Sequence, residues 1–302
     1  MLSWFQVSRA RRAVQFVPGR GVCVVFQRQM RARCPFRDLI WMAVLVLCHA
    51  ALSLGLQSMV MPAREYASNP PHFLLRWLSM AALVGPLLYL PIAAALGAFA
   101  APPISRFEET QSMLLTRLTP FDVCAGRLFA SLWPLITAIL AVCALALSAQ
   151  LIWRPLPRGS TDGYIAILLM HMVLLCAAFA IGAIGFLFAI RRRPGRTLAR
   201  GTCVAVAGAV LSMSILFLAN SMIRRLDNPT SLIYGALLVN PATAATTALH
   251  LDILRMPWLY ERTDAPEYPF TYPSPLASCA LFATAGGVAL AVSSVRLRRA
   301  YQ

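Results

Sequence analysis

The run Gly163-Tyr164-Ile165-Ala166-Ile167-Leu168-Leu169-Met170-His171-Met172-Val173-Leu174-Leu175-Cys176-Ala177-Ala178-Phe179-Ala180-Ile181-Gly182-Ala183-Ile184-Gly185-Phe186-Leu187-Phe188-Ala189-Ile190 contains no Asp, Glu, Lys or Arg. A soluble helix keeps a polar face toward water, and this one has none. Its length exceeds the roughly 20 residues that carry a helix across the hydrocarbon of a bilayer. Five more stretches share the pattern, at 39–61, 77–101, 128–152, 201–223 and 275–295. The expectation is an all-α, polytopic membrane protein with six transmembrane helices.

Composition agrees. Hydrophobic residues make up 59% of the 302-residue chain and charged residues 13%, against about 25% charged in soluble domains. The net charge is nevertheless +16, and all 27 basic side chains are arginine. Without a lysine the chain cannot build a P-loop or run Schiff-base chemistry. Arginine bias also orients the spans. With the N-terminus in the cytoplasm, the inner segments 1–38, 102–127, 191–200 and 296–302 hold 19 arginines and four acids. The outer segments 62–76, 153–162 and 224–274 hold eight arginines and seven acids. Both termini are therefore expected on the cytoplasmic side of the inner membrane. The domains are a basic N-terminal arm, 1–38, carrying an interfacial helix, and a six-span membrane domain, 39–302.

Two outer segments depart from simple spans. Residues 231–250 are mildly apolar, about span length and broken at Asn240-Pro241. A helix–break–helix dipping into the outer leaflet, tolerated where protein covers it, fits better than the alternative, a seventh crossing, which would put Arg296, Arg298 and Arg299 outside. The following loop carries Trp258, Tyr260, Tyr268, Phe270 and Tyr272, rings suited to the membrane–water boundary.

The inner segment 104–127 is the most informative. Ser105 with Glu108 makes a capping box, and Phe107, Leu114 and Leu118 then share one helical face, with Glu109 off it. A second start follows, with Thr119 as N-cap, Pro120 at the first helical position and Asp122 at the third. The expectation is a short amphipathic helix, a sharp turn and a helix running into the third span. Glu108, Glu109 and Asp122 make this hairpin the only acid-containing inner segment after Asp38, which favours docking of a protein over an anionic lipid surface.

Those residues, from Glu108-Glu109-Thr110-Gln111-Ser112-Met113-Leu114-Leu115-Thr116-Arg117-Leu118-Thr119-Pro120-Phe121-Asp122 to Gly126-Arg127, resemble the cytoplasmic hairpin of type-2 ABC transporter permeases. Arg191-Arg192-Arg193-Pro194-Gly195-Arg196 resembles the basic loop after that family's fourth span. Leu238-Val239-Asn240-Pro241 resembles its Asn/Ser-Pro element after the fifth, and Arg296-Leu297-Arg298-Arg299 its basic tail. Gln27-Arg28-Gln29-Met30-Arg31-Ala32-Arg33 resembles the basic helix before the first span. Glu109 stands where the family usually has Gly, and Arg117 where it has Pro.

The resemblance implies a permease subunit of an exporter-like transporter that pairs with a second permease copy or homologue. It also implies that the hairpin, through Ser105, Phe107, Glu108, Glu109, Leu114, Leu118, Thr119, Asp122 and Arg127, docks on an ATP-binding cassette ATPase subunit. ATP and Mg would be bound by that partner and no cofactor by this chain, which is not expected to be an enzyme. The rival reading is a non-transporting membrane scaffold or assembly factor that uses the same hairpin as its docking point.

Other chemistry is sparse. The spans hold two histidines, His49 and His171, and no carboxylate. Read singly they are hydrogen-bonded packing residues, so ion-coupled transport is not expected. The eight cysteines show no Cys-x-x-Cys spacing and the four histidines no cluster, so no metal site or disulfide framework is expected. Arginines flanking the spans are accounted for by topology, without nucleic acid. Small-residue spacings such as Ala178-x-x-x-Gly182, and Gly85-Pro86 with Pro91, arise by chance in so alanine-rich a chain and are assigned no role.

Overall fold

The computed structural model describes residues 20–31, 35–60, 70–101, 118–153, 160–190, 230–249 and 273–301. Among these residues the chain is all-helical: α1 Arg20–Arg31, α2 Pro35–Val60, α3 Pro70–Ala100, α4 Pro120–Trp153, α5 Ser160–Ala189, α6 Thr230–Val239, α7 Pro241–Ala248 and α8 Pro275–Tyr301. Five of them, α2, α3, α4, α5 and α8, are long and apolar enough to cross a membrane. The chain is a multi-pass membrane protein. The expected span at 201–223 lies outside the described residues, as do the aromatic loop, the 191–200 run, residues 1–18 and the first half of the hairpin.

Proline at the first position opens α2, α3, α4, α7 and α8, where its missing N–H costs nothing. α4 runs unbroken from the predicted start at Pro120 through the whole third span. α5 lies at the centre, packed along α3 on one side and α8 on another, with α4 closing against α3 and α5. Its packed face is small: Ala177, Ala178, Ala180, Gly182 and Ala183 are buried. Lipid is as apolar as leucine, so helices in a bilayer associate through close packing and hydrogen bonds rather than through the hydrophobic effect. One such bond crosses from α4 to α3, where Ser131 Oγ donates to the Leu96 carbonyl at 2.7 Å.

α2 is peripheral. Leu39, Trp41, Leu47, Leu52 and Met59 face outward, as lipid-facing residues do. Its buried face is Leu45, His49, Ser53 and Gln57, one residue per turn, and three of the four are polar.

The expected helix–break–helix is present. The Asn240 carboxamide oxygen accepts the Ala242 N–H at 2.9 Å and the Thr243 N–H at 3.3 Å, capping α7. The α6 carbonyl of Leu238 accepts Ser278 Oγ–H of α8 at 3.1 Å. α7 is almost wholly buried, packed against α3, α5 and α8. Because Asn240 is 2% exposed, water cannot replace its carboxamide. Asn240→Ala is expected to cost about 1–3 kcal/mol, read as a lower melting temperature in detergent. Asn240→Asp, which keeps the accepting oxygen, should cost less.

Candidate functional site

Two places in the fold carry chemistry. The first is the head of α4. Thr119 Oγ1 accepts the Asp122 N–H at 3.1 Å, while Asp122 Oδ2 accepts the Thr119 N–H at 3.1 Å and its hydroxyl at 2.7 Å. The N-cap expected at Thr119 is present, and Asp122 makes it reciprocal. It fixes the start of α4.

α1 lies along this head. A Cβ on Gly21 would run into the Asp122 carboxylate, and one on Gly126 would sit 2.6 Å from Val25 Cβ. Phe26 meets Trp133 edge to face, with centroids 5.5 Å apart at 74°. Of the expected docking residues, Leu118 is half-buried against the core and Thr119 caps the helix. Asp122 and Arg127 are only 7% and 5% exposed and build the corner. Phe121 is the exposed residue of this turn. Ser105, Phe107, Glu108, Glu109 and Leu114 lie outside the described residues.

The second place is within the spans. His49 on α2, Tyr89 on α3 and His171 on α5 are 1%, 1% and 2% exposed. The His49 and Tyr89 rings stack at 5.2 Å and 22°. His49 and Tyr89 fall within two residues of the midpoints of their apolar segments, and His171 within five. All three therefore lie within about 7 Å of mid-span.

Gly85 lies one turn before Tyr89, where a Cβ would stand 3.1 Å from Leu174 Cδ1 and in ordinary contact with His49 Cε1 at 3.5 Å. Pro86 and Pro91 bracket Tyr89 inside α3 and remove two helical N–H donors.

His171 Nδ1 lies 2.8 Å from the Ile167 carbonyl. Both nitrogens of His49, His171 Nε2 and the Tyr89 hydroxyl have no hydrogen-bond partner among the described residues. In a sequence reading the two histidines stand apart and Tyr89 is one aromatic among many. The available signal was the polar stripe His49, Ser53, Gln57 at i, i+4, i+8 in an otherwise apolar helix.

Among the described residues no three His, Cys, Asp or Glu side chains group as metal ligands. No protein-family model, no curated protein and no solved structure matches this chain.

Proposed function

We propose that this membrane protein is the permease subunit of an ATP-binding cassette transporter of the cytoplasmic membrane, working as a pair with a second permease copy. A separate ATPase subunit supplies ATP hydrolysis. The observation that supports this reading is the construction of the corner at Thr119–Arg127. The second half of the resembling segment is a capped helix start continuous with a 34-residue span, and α1 is clasped against it. A push delivered at Thr119–Arg127 therefore acts directly on the helix that runs to the centre of the bundle.

Glu108 and Glu109 are the acids left to meet a partner, since Asp122 is taken up by its cap. Thr119, Asp122 and Arg127 position the hairpin, while Leu118 seats its base on the core. The arginine-rich face around it orients the spans, with both termini in the cytoplasm.

Tagged protein purified from its native host is expected to bring down a P-loop-containing ATPase. Glu108→Arg/Glu109→Arg should lower the recovered ATPase by at least about tenfold, since reversed charges at a docking surface repel. The variant's melting temperature should be unchanged. Wild-type protein that recovers no ATPase, or a charge-reversed variant that recovers as much as wild type, would overturn the reading. Asp122→Arg is not a useful probe, because it would break the buried cap.

A further inference from the structure

We propose that α3 is hinged between Pro86 and Pro91, so that its N-terminal half tilts as a unit while its C-terminal half stays locked to α5. The proposal does not rest on the permease reading, and the two fail by different results.

The backbone supplies the joint. Pro86 and Pro91 lie inside a continuous 31-residue helix. A regular helix brings the N–H of residue 86 to the Ala82 carbonyl and that of residue 91 to the Leu87 carbonyl. Proline has no N–H to bring, and its ring crowds the same carbonyl. Sharp bends in helices concentrate at such positions. No other described span carries two: α4 has Pro134 alone, and α2, α5 and α8 have none past their first residue.

Packing divides at the same place. On the C-terminal side a Cβ on Gly97 would run into the backbone of Gly182, and one on Gly185 into the backbone of Ala94. Contacts of that kind yield only if a whole helix moves. On the N-terminal side α3 meets its neighbours through side chains. A Cβ on Gly85 would face the Leu174 methyls at 3.1 and 3.3 Å and the His49 ring at 3.5 Å, groups that turn about their own torsions. The buried apolar contacts split likewise. Leu78 and Ala82 belong to a cluster that takes in Ala245 and Ala248 of α7, whereas Tyr89 and Ala93 belong to a separate one that takes in Leu132 of α4. The change from one cluster to the other falls across Pro86.

Hydrogen bonds do not stitch the joint. Bonds between helices are among the few forces that hold spans together in lipid. The C-terminal half of α3 has one, from Ser131 Oγ of α4 to the Leu96 carbonyl. In the N-terminal half the Ser79 hydroxyl donates to the Arg76 carbonyl of α3 itself. Between the prolines stands Tyr89, stacked on the His49 ring. Its hydroxyl and both His49 nitrogens have no hydrogen-bond partner among the described residues. Stacked rings can slide past each other without breaking such a bond.

Electron spin distance distributions in phosphatidylcholine nanodiscs read the tilt. Spin-labelled non-canonical amino acids leave the eight native cysteines in place. One pair joins position 76 of α3 to position 165 of α5, the other position 99 of α3 to position 188 of α5; Arg76, Ile165, Phe99 and Phe188 are all exposed. From Leu87 to Arg76 the lever is about 16 Å, so a tilt of about 20° carries its end about 6 Å. The 76–165 distribution is therefore expected to be wider than the 99–188 one by about twofold or more. Pro86→Ala/Pro91→Ala supplies both missing N–H groups and should narrow the first pair to the width of the second. Each single exchange should narrow it partway. The 99–188 distribution should stay the same throughout, which also shows that the variants are folded. Equal widths in the wild-type protein, or a 76–165 distribution as broad in all three variants as in wild type, would overturn the proposal. No ATPase is present in this measurement, so its outcome is separate from the docking result.

Discussion

Gly97→Ala is expected to destabilise the protein by about 3 kcal/mol or more, although alanine is the better helix former. The reason is where α3 crosses α5. A Cβ on Gly97 would run into the backbone of Gly182, and a Cβ on Gly185 into the backbone of Ala94. A flexible side chain can swing aside from a new methyl, but a helix backbone moves only with its whole helix. Leu132 of α4 closes the crossing from the third side, with its methyls 3.0 and 3.1 Å from the position a Cβ on Gly182 would take. Separating α3 from α5 to admit one carbon would therefore open the centre of the bundle. At the scaling usual for domains of this size, 3 kcal/mol corresponds to a melting temperature lower by about 6–12 °C. Gly287→Ala in α8 is the control, because a Cβ there meets nothing within 4 Å. It should melt at or above the wild-type temperature. Equal melting of the two variants would show that the crossing is looser than described.

Gly182 shows what was and was not legible in the sequence. The spacing Ala178-x-x-x-Gly182 is plain to read, yet in a chain full of alanine it cannot be told from chance. Its role appears only once Gly97 is brought against it from a span some 85 residues away. The features that could be read were local. Thr119-Pro120-Phe121-Asp122 carries its own cap and stop chemistry, and Asn240-Pro241 supplies both the break and the cap of the helix that follows. The long apolar runs declare themselves because a charge in the hydrocarbon is costly.

Which face of each span packs was the harder question. A soluble helix shows its buried face by the contrast between apolar and polar sides, whereas here the lipid face is as apolar as the packed one. α2 is the exception, and its signal is inverted. Leu39, Leu47 and Leu52 look outward, while His49, Ser53 and Gln57 look in. A reading that asks where the polar residues of a span recur, rather than the apolar ones, finds that face. It still does not find Tyr89, whose meeting with His49 depends on how two separate helices pack.

Gly126→Leu is expected to release α1 while leaving the rest of the bundle intact. α1 and the head of α4 touch in register, Gly21 against Asp122 and Val25 against Gly126 one turn further on, with Phe26 against Trp133 beyond. At Gly126 the neighbour is Val25, whose Cβ and Cγ1 would lie 2.6 and 2.8 Å from a new Cβ. Here the contact can yield, unlike at Gly97. α1 is a 12-residue helix at the edge of the fold, held chiefly by its packing on α4, and it can lift off as a unit. Helices this short are marginal without tertiary contacts, so the released segment should unfold. Trypsin cleavage after Arg28 and Arg31, followed by mass spectrometry in detergent, should accelerate by about tenfold or more, as expected when a local contact is lost. The melting temperature of the bundle should fall by no more than about 4 °C. Gly21→Leu, which drives α1 off the Asp122 carboxylate one turn earlier, should reproduce both results. A Gly126→Leu protein that melts as low as Gly97→Ala but resists trypsin at both arginines would show that α1 and α4 form one inseparable unit, and the clasp would then belong to the core.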